Sequence, residues 1–201
     1  TLATGSVLTV LLYTRGSINL TTLFILGTAF LIAFFYAVPP PQLVYSGYGE
    51  LVFAIFLANL TPAFAFSLQA GDLHRLLAML TFPLTSLLLA VILALSLKTH
   101  AENIKTNRRT LMVRIGWQLG FQVHHLMVLL AYLVIGIAAF LGLPWELGWP
   151  AFLTLPIALY QIWIINQIAV GKSPNWKILN LTAAVTFGLT AYLITFALWT
   201  G

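Results

Sequence analysis

Basic side chains gather in two stretches of this chain, Lys98, Lys105, Arg108, Arg109 and Arg114 in the first and Lys172 and Lys177 in the second. Groups of this kind contact a diphosphate or anionic lipid head groups, or they do no more than orient the chain in a membrane, and orientation is the favoured reading. His100 and Glu102 lie two residues apart in the first stretch, but such a pair lacks the further ligands zinc needs, so no metal site is assigned. His124-His125 sits about two turns into a long apolar run, where an ionisable group is costly and calls for a functional hypothesis. A neutral imidazole there would suit a haem iron or a chlorophyll magnesium. Gln118, Gln122 and His125, however, recur at i, i+4 and i+7, one polar stripe rather than a shell around a ligand, which favours hydrogen bonding at an interface or between helices. Gln161, Asn166 and Gln167 in a later run carry the same structural reading, with contact to a cavity as the other.

The background to these groups is a membrane chain. Of 201 residues 61% are hydrophobic and 6% charged, with a mean hydropathy of +1.00; a soluble domain carries about 25% charged residues. A formal charge of +5 spread over apolar runs is no nucleic-acid surface. The absence of cysteine excludes disulfides, thiolate metal centres, iron–sulfur clusters and cysteine nucleophiles. The chain opens on Thr1 without a basic n-region or a small-residue cleavage site, and reads as trimmed rather than signal-led.

A bilayer core asks for about 20 apolar residues per helix. Segments separated by Pro, Gly and charge are expected at Leu2 to Thr14, Leu20 to Val38, Leu51 to Leu68, Leu76 to Leu97, Ile115 to Leu141, Pro150 to Val170 and Ile178 to Thr200. The first is too short to cross and reads as the remainder of a longer helix. Pro39-Pro40-Pro41 fixes an extended stretch that ends the second. The runs are apolar nearly all round and lack the alternation of barrel strands, so the expected fold is an all-α polytopic transmembrane bundle of about seven helices. It forms one domain over residues 1–201, with no internal repeat. Alternating crossings put residues 39–49, 98–114 and 171–177 on one side, with seven basic groups, and leave Arg15 and Arg75 on the other. The positive-inside rule makes the loop at 98–114 cytoplasmic, as in a bacterial inner membrane. Trp117 and Trp176 then fall near the inner interface, and Trp145, Trp149 and Trp199 near the outer one.

Two stretches on the basic side are distinctive, residues 35–50 and residues 98–116. In the first, Tyr36, Pro39, Pro40, Tyr45, Gly47, Gly49 and Glu50 fit a Tyr-Thr-x-Pro-Pro-x-(Arg/Lys)-Leu-x-Tyr-Arg-Gly-x-Gly-Glu turn. In the second, Arg109-Thr110-Leu111 and Val113-Arg114-Ile115-Gly116 fit a Gly-Lys-Arg-Thr-Leu-x-Val-Arg-Leu-Gly pattern, with Arg108 in place of its lysine. Together they resemble the UbiA superfamily of membrane prenyltransferases, most closely the branch that prenylates dihydroxynaphthoate. The resemblance covers about residues 5–200 and implies a UbiA-like bundle without the family's first two helices and early aspartate-rich motif. It also departs from the pattern. Lys98 stands where the family has an arginine, Leu95-Ser96 where it has an asparagine pair, and Thr99 and Asn103 where it has two aspartates. Gln42 and Ser46 occupy the two basic positions that would face the diphosphate.

Ionising an allylic diphosphate needs its charge neutralised, by Mg²⁺ held on carboxylates with Lys or Arg clamps. Thr99 and Asn103 offer neutral oxygens, and Glu102 is the one carboxylate in a loop with five basic residues. The expected function is therefore that of a non-catalytic UbiA-like membrane protein. It would be an accessory subunit of a larger photosynthetic or respiratory complex among membrane lipids, or a holder of a quinone, carotenoid or chlorophyll tail. The alternative is an active Mg²⁺-dependent aromatic prenyltransferase in which Glu102, Tyr36 and Tyr45 are the remnant site. A transporter or channel has little support, since no segment shows a repeated charge pattern or a central Gly/Pro break.

Overall fold

The computed structural model describes residues 2–16 and 18–200. Its helices run in the order α1 (Leu2–Thr14), α2 (Leu20–Ala37), α3 (Gly49–Ile55), α4 (Thr61–Ala70), α5 (Arg75–Lys105), α6 (Leu111–Ile115), α7 (Trp117–Phe140), α8 (Trp145–Phe152), α9 (Leu155–Ala169) and α10 (Trp176–Thr200). Among the described residues six helical stretches are long and apolar enough to cross a membrane, with α3–α4 and α8–α9 each counting as one. The chain is thus an all-α polytopic membrane bundle. Although the 13 described residues of α1 fall short of a crossing, α1 keeps its place as the first of the apolar segments, so that α3–α4 is the third, α7 the fifth and α8–α9 the sixth.

Helix α5 is the axis of the bundle. Half of its apolar window is buried, against 11% for α2, which lies at the periphery. Lipid tails are as apolar as leucine, so helix association rests on close packing rather than on a hydrophobic drive. Small residues supply that closeness: Ala54 and Ala58 from the third crossing, Ala94 of α5 and Ala183 of α10 are buried in one cluster with Leu93, Met112, Ile165 and Leu179. Ala131 of α7 and Ala158 of α9 are buried beside Leu87 and Val128 in another. Gly120 of α7 belongs to the same logic, because a Cβ there would run into Sδ of the buried Met112.

Proline decides where the crossings bend. Pro62 at the start of α4 has no N–H and would press on the carbonyl four residues back, and the chain widens into a π-helical turn at Phe56–Leu60. The sixth crossing, expected to begin at Pro150, begins at Trp145, breaks at Leu153–Thr154 and resumes at Leu155. Pro156 explains the break, for its ring cannot follow Phe152 in an unbroken helix. An interruption of this kind was absent from the sequence expectation.

The expected loop at 98–114 is also corrected. Helix α5 continues to Lys105, since nothing from Lys98 to Lys105 is Gly or Pro, and Thr106 N–H closes it on Glu102 O at 2.9 Å. The chain reverses at Asn107, with φ of 55°, and Thr110 caps α6 by accepting from Val113 N at 3.2 Å. Gly116, with φ of 81°, separates α6 from α7, so the fifth crossing starts at Trp117 rather than Ile115. We expect Gly120→Ala to change stability by less than about 1 kcal/mol, because the flexible Met112 thioether can swing aside and alanine gains about 1 kcal/mol over glycine inside a helix, whereas Gly120→Leu, which adds a bulky chain to the closed cluster, should cost about 1–3 kcal/mol. Thermal unfolding in mild detergent checks both.

Candidate functional site

The sequence-distinctive residues converge at the basic end of the bundle. After Ala37 the chain passes Pro39-Pro40-Pro41, a 3₁₀ turn at Leu43–Tyr45 and Gly47 before entering α3. Gly49 closes this turn: a Cβ on it would lie 3.0 Å from Leu43 O and Val44 Cα. That closure sets Glu50 in the first turn of α3, where its Oε2 accepts from the backbone N–H of Leu111 at 3.0 Å. Arg114 makes the return contact, donating from Nη1 to Ser46 O at 2.7 Å and stacking its guanidinium 4.0 Å over the Tyr48 ring. Gly47 leaves room for it, since a Cβ would sit 2.9 Å from Arg114 Cδ. The two stretches 35–50 and 98–116 are therefore clamped together across more than sixty residues of sequence.

Thr99, Glu102 and Asn103 lie near the end of α5, and Tyr36 at the end of α2. Asn103 is buried and donates from Nδ2 to Thr99 Oγ1 at 3.2 Å, a neutral pair one turn apart on α5. Glu102, Lys98 and Lys105 are exposed on the same helix. Tyr36, at the end of α2, lies within electrostatic reach of Glu50 and Arg108, whereas Tyr45 is exposed. Among the described residues no three His, Asp or Glu side chains group as a metal site. Oxygens of threonine and asparagine are weak partners for Mg²⁺, so the residues present do not fit the ion that diphosphate ionisation requires. His100 faces a small space of about 170 Å³ with Trp117 and Trp176, and does not pair with Glu102.

An apolar groove of about 230 Å³ starts beside Tyr36, lined by Ile32, Ala33, Val52, Phe53 and Phe56 from α2 and the third crossing. Its walls are hydrocarbon and its one polar lining residue is Tyr36. Nothing in the one-dimensional pattern marked it, because residues twenty positions apart on two helices form its sides.

The histidines have a different setting. His124 on α7 is buried, with its Nε2 3.0 Å from Nε2 of the buried Gln161 on α9. His125 packs edge-on against it with ring centroids 5.4 Å apart. The second ring nitrogen of His124 and Nε2 of His125 are enclosed by protein and have no hydrogen-bond partner among the described residues. Gln118 and Gln122 are exposed, so the expected stripe runs along the outside of α7 while His124 turns inward. Asn166 is exposed and Gln167 lines a space beside Lys172 and Asn175. Sequence reasoning passed over a further polar chain: Tyr132 Oη and Thr190 Oγ1 lie 2.9 and 2.6 Å from Thr154 Oγ1. The four-residue spacing of Thr182, Thr186 and Thr190 was its available signal.

With this geometry in view, comparison with family models, curated proteins and solved structures finds no match for the chain.

Two outcomes follow for stability. Glu50→Ala strands the Leu111 N–H and is expected to cost about 1–3 kcal/mol, with Glu50→Gln costing less because an acceptor remains. His124→Leu and Gln161→Leu each leave a buried polar partner alone, so their double variant should lose less than the sum, by a coupling of about 0.6–2 kcal/mol. Thermal unfolding of the purified variants measures both.

Proposed function

We propose that this chain is a non-catalytic membrane bundle of the UbiA-prenyltransferase kind, which holds an isoprenoid and serves as an accessory subunit of a larger membrane complex. The observation that carries this reading is the neutral Thr99–Asn103 pair behind an intact loop clamp. The residues that join the two loops are kept, while those that would bind a cation are replaced by groups that satisfy each other. Retained positioning without retained charge is what a scaffold needs and what diphosphate chemistry lacks.

The groove at Tyr36 supports the choice of ligand. Its apolar walls suit a prenyl tail, and the Tyr36 hydroxyl near Glu50 and Arg108 gives a polar end for a quinone carbonyl or a pigment ester. The clustering of Lys98, Lys105, Arg108, Arg109, Arg114, Lys172 and Lys177 at one end favours a cytoplasmic position for that end, in a bacterial inner membrane.

Native purification in mild detergent, with mass spectrometry of extracted lipids and co-eluting proteins, tests the proposal. The expected result is a bound quinone, carotenoid or chlorophyll and a stoichiometric membrane partner. Ala33→Trp, which fills the groove, should lower the isoprenoid retained without dissociating the partner. A lone monomer free of isoprenoid counts against the reading, and Mg²⁺-dependent formation of a prenylated aromatic product would replace it with the enzyme.

A further inference from the structure

A second pocket opens at the basic end, of about 330 Å³, lined by Ser46, Arg109, Val113 and Arg114. It shares no residue with the groove at Tyr36. Two guanidinium groups border this one space, and they are prepared differently. Arg114 is fixed by its bond to Ser46 O at 2.7 Å and by the Tyr48 ring beneath it, so part of its donor fork remains unspent. Arg109 is exposed and has neither a hydrogen bond nor an ion pair among the described residues.

Neither arginine has a carboxylate within ion-pair distance among the described residues. Glu50, the acid of the adjoining helix, is already bound to the Leu111 N–H. Two like charges at one pocket repel each other unless an anion lies between them. Guanidinium groups match tetrahedral phosphate oxygens with paired donors, a fit a lone ammonium lacks. The pocket is formed by the turn after α2, the reversal after α5 and α6, segments that lie between the spanning helices rather than within them, where anionic head groups are met.

We infer that Arg109 and Arg114 bind a phosphate group in this pocket, carried by an anionic lipid or free in solution. Gly47 is a positioning residue for the site, because a Cβ there would push Arg114 off the turn. The site goes beyond the isoprenoid reading and stands or falls separately from it.

The test uses the full chain in a neutral detergent, with thermal midpoints followed against short-chain phosphatidylglycerol, short-chain phosphatidylcholine and sodium phosphate at constant ionic strength. Phosphatidylglycerol should raise the midpoint well beyond phosphatidylcholine. Arg109→Gln removes no internal contact, so it should keep the lipid-free midpoint while weakening the lipid response about fivefold. Arg114→Lys should weaken it as well, by losing the paired donors. A rise with sodium phosphate equal to that with phosphatidylglycerol assigns the group to a free phosphate, within the same proposal. The inference is overturned if the parent protein answers neither probe beyond phosphatidylcholine, or if Arg109→Gln answers as the parent does.

Discussion

One carboxylate organises the basic end of this bundle. Glu50 Oε2 takes the Leu111 N–H, an orphan donor at the first position of a five-residue helix that has few other partners for it. A hydrogen bond donated to a carboxylate is stronger than one donated to a neutral acceptor, and here it joins elements that no helix connects directly. That contact holds α6 against α3, where Arg114 reaches Ser46, and it lies at the same end of the molecule as Tyr36 and Arg108.

Inside the membrane the governing constraint is different. Polar groups must be satisfied within the protein, because hydrocarbon offers no hydrogen bonds. Threonines of α10 meet it by bonding carbonyls four residues back, as Thr186 does to Thr182 O and Thr190 to Thr186 O. His124 and Gln161 meet it across two helices. Asn59 donates to Thr81 Oγ1 at 3.1 Å between the third crossing and α5. These contacts, with the alanine-lined approaches around α5, fix which helix faces meet where apolar burial alone would leave rotation undetermined.

The two ends of the structure thus divide their work. The transmembrane part is packed and spends most of its polar groups internally, the second ring nitrogen of His124 and Nε2 of His125 being among the exceptions, with its recess at the side between α2 and the third crossing. The basic end is clamped but electrically unbalanced, with Arg109 unpaired and Arg114 only partly engaged among the described residues.

The membrane class, the all-α fold and the approximate crossings were legible in the residues, because apolar length and Pro/Gly punctuation are local properties that a bilayer converts directly into helices. So were the grouping of the basic side chains and the interest of Tyr36, Glu50, Thr99, Asn103 and Arg114, although Lys98 and Lys105 lie on α5 and Arg114 on α6 rather than in a loop. The end of α5 was misplaced at Leu97 and the start of the sixth crossing at Pro150, since helix ends depend on capping and on proline sterics that a hydropathy reading does not weigh. It took the packed chain to show that Glu50 serves Leu111, that His124 meets Gln161, and that Arg109 and Arg114 share a pocket. Those facts depend on how helices rotate and pair through close packing, a property of faces far apart in the chain that no local pattern encodes.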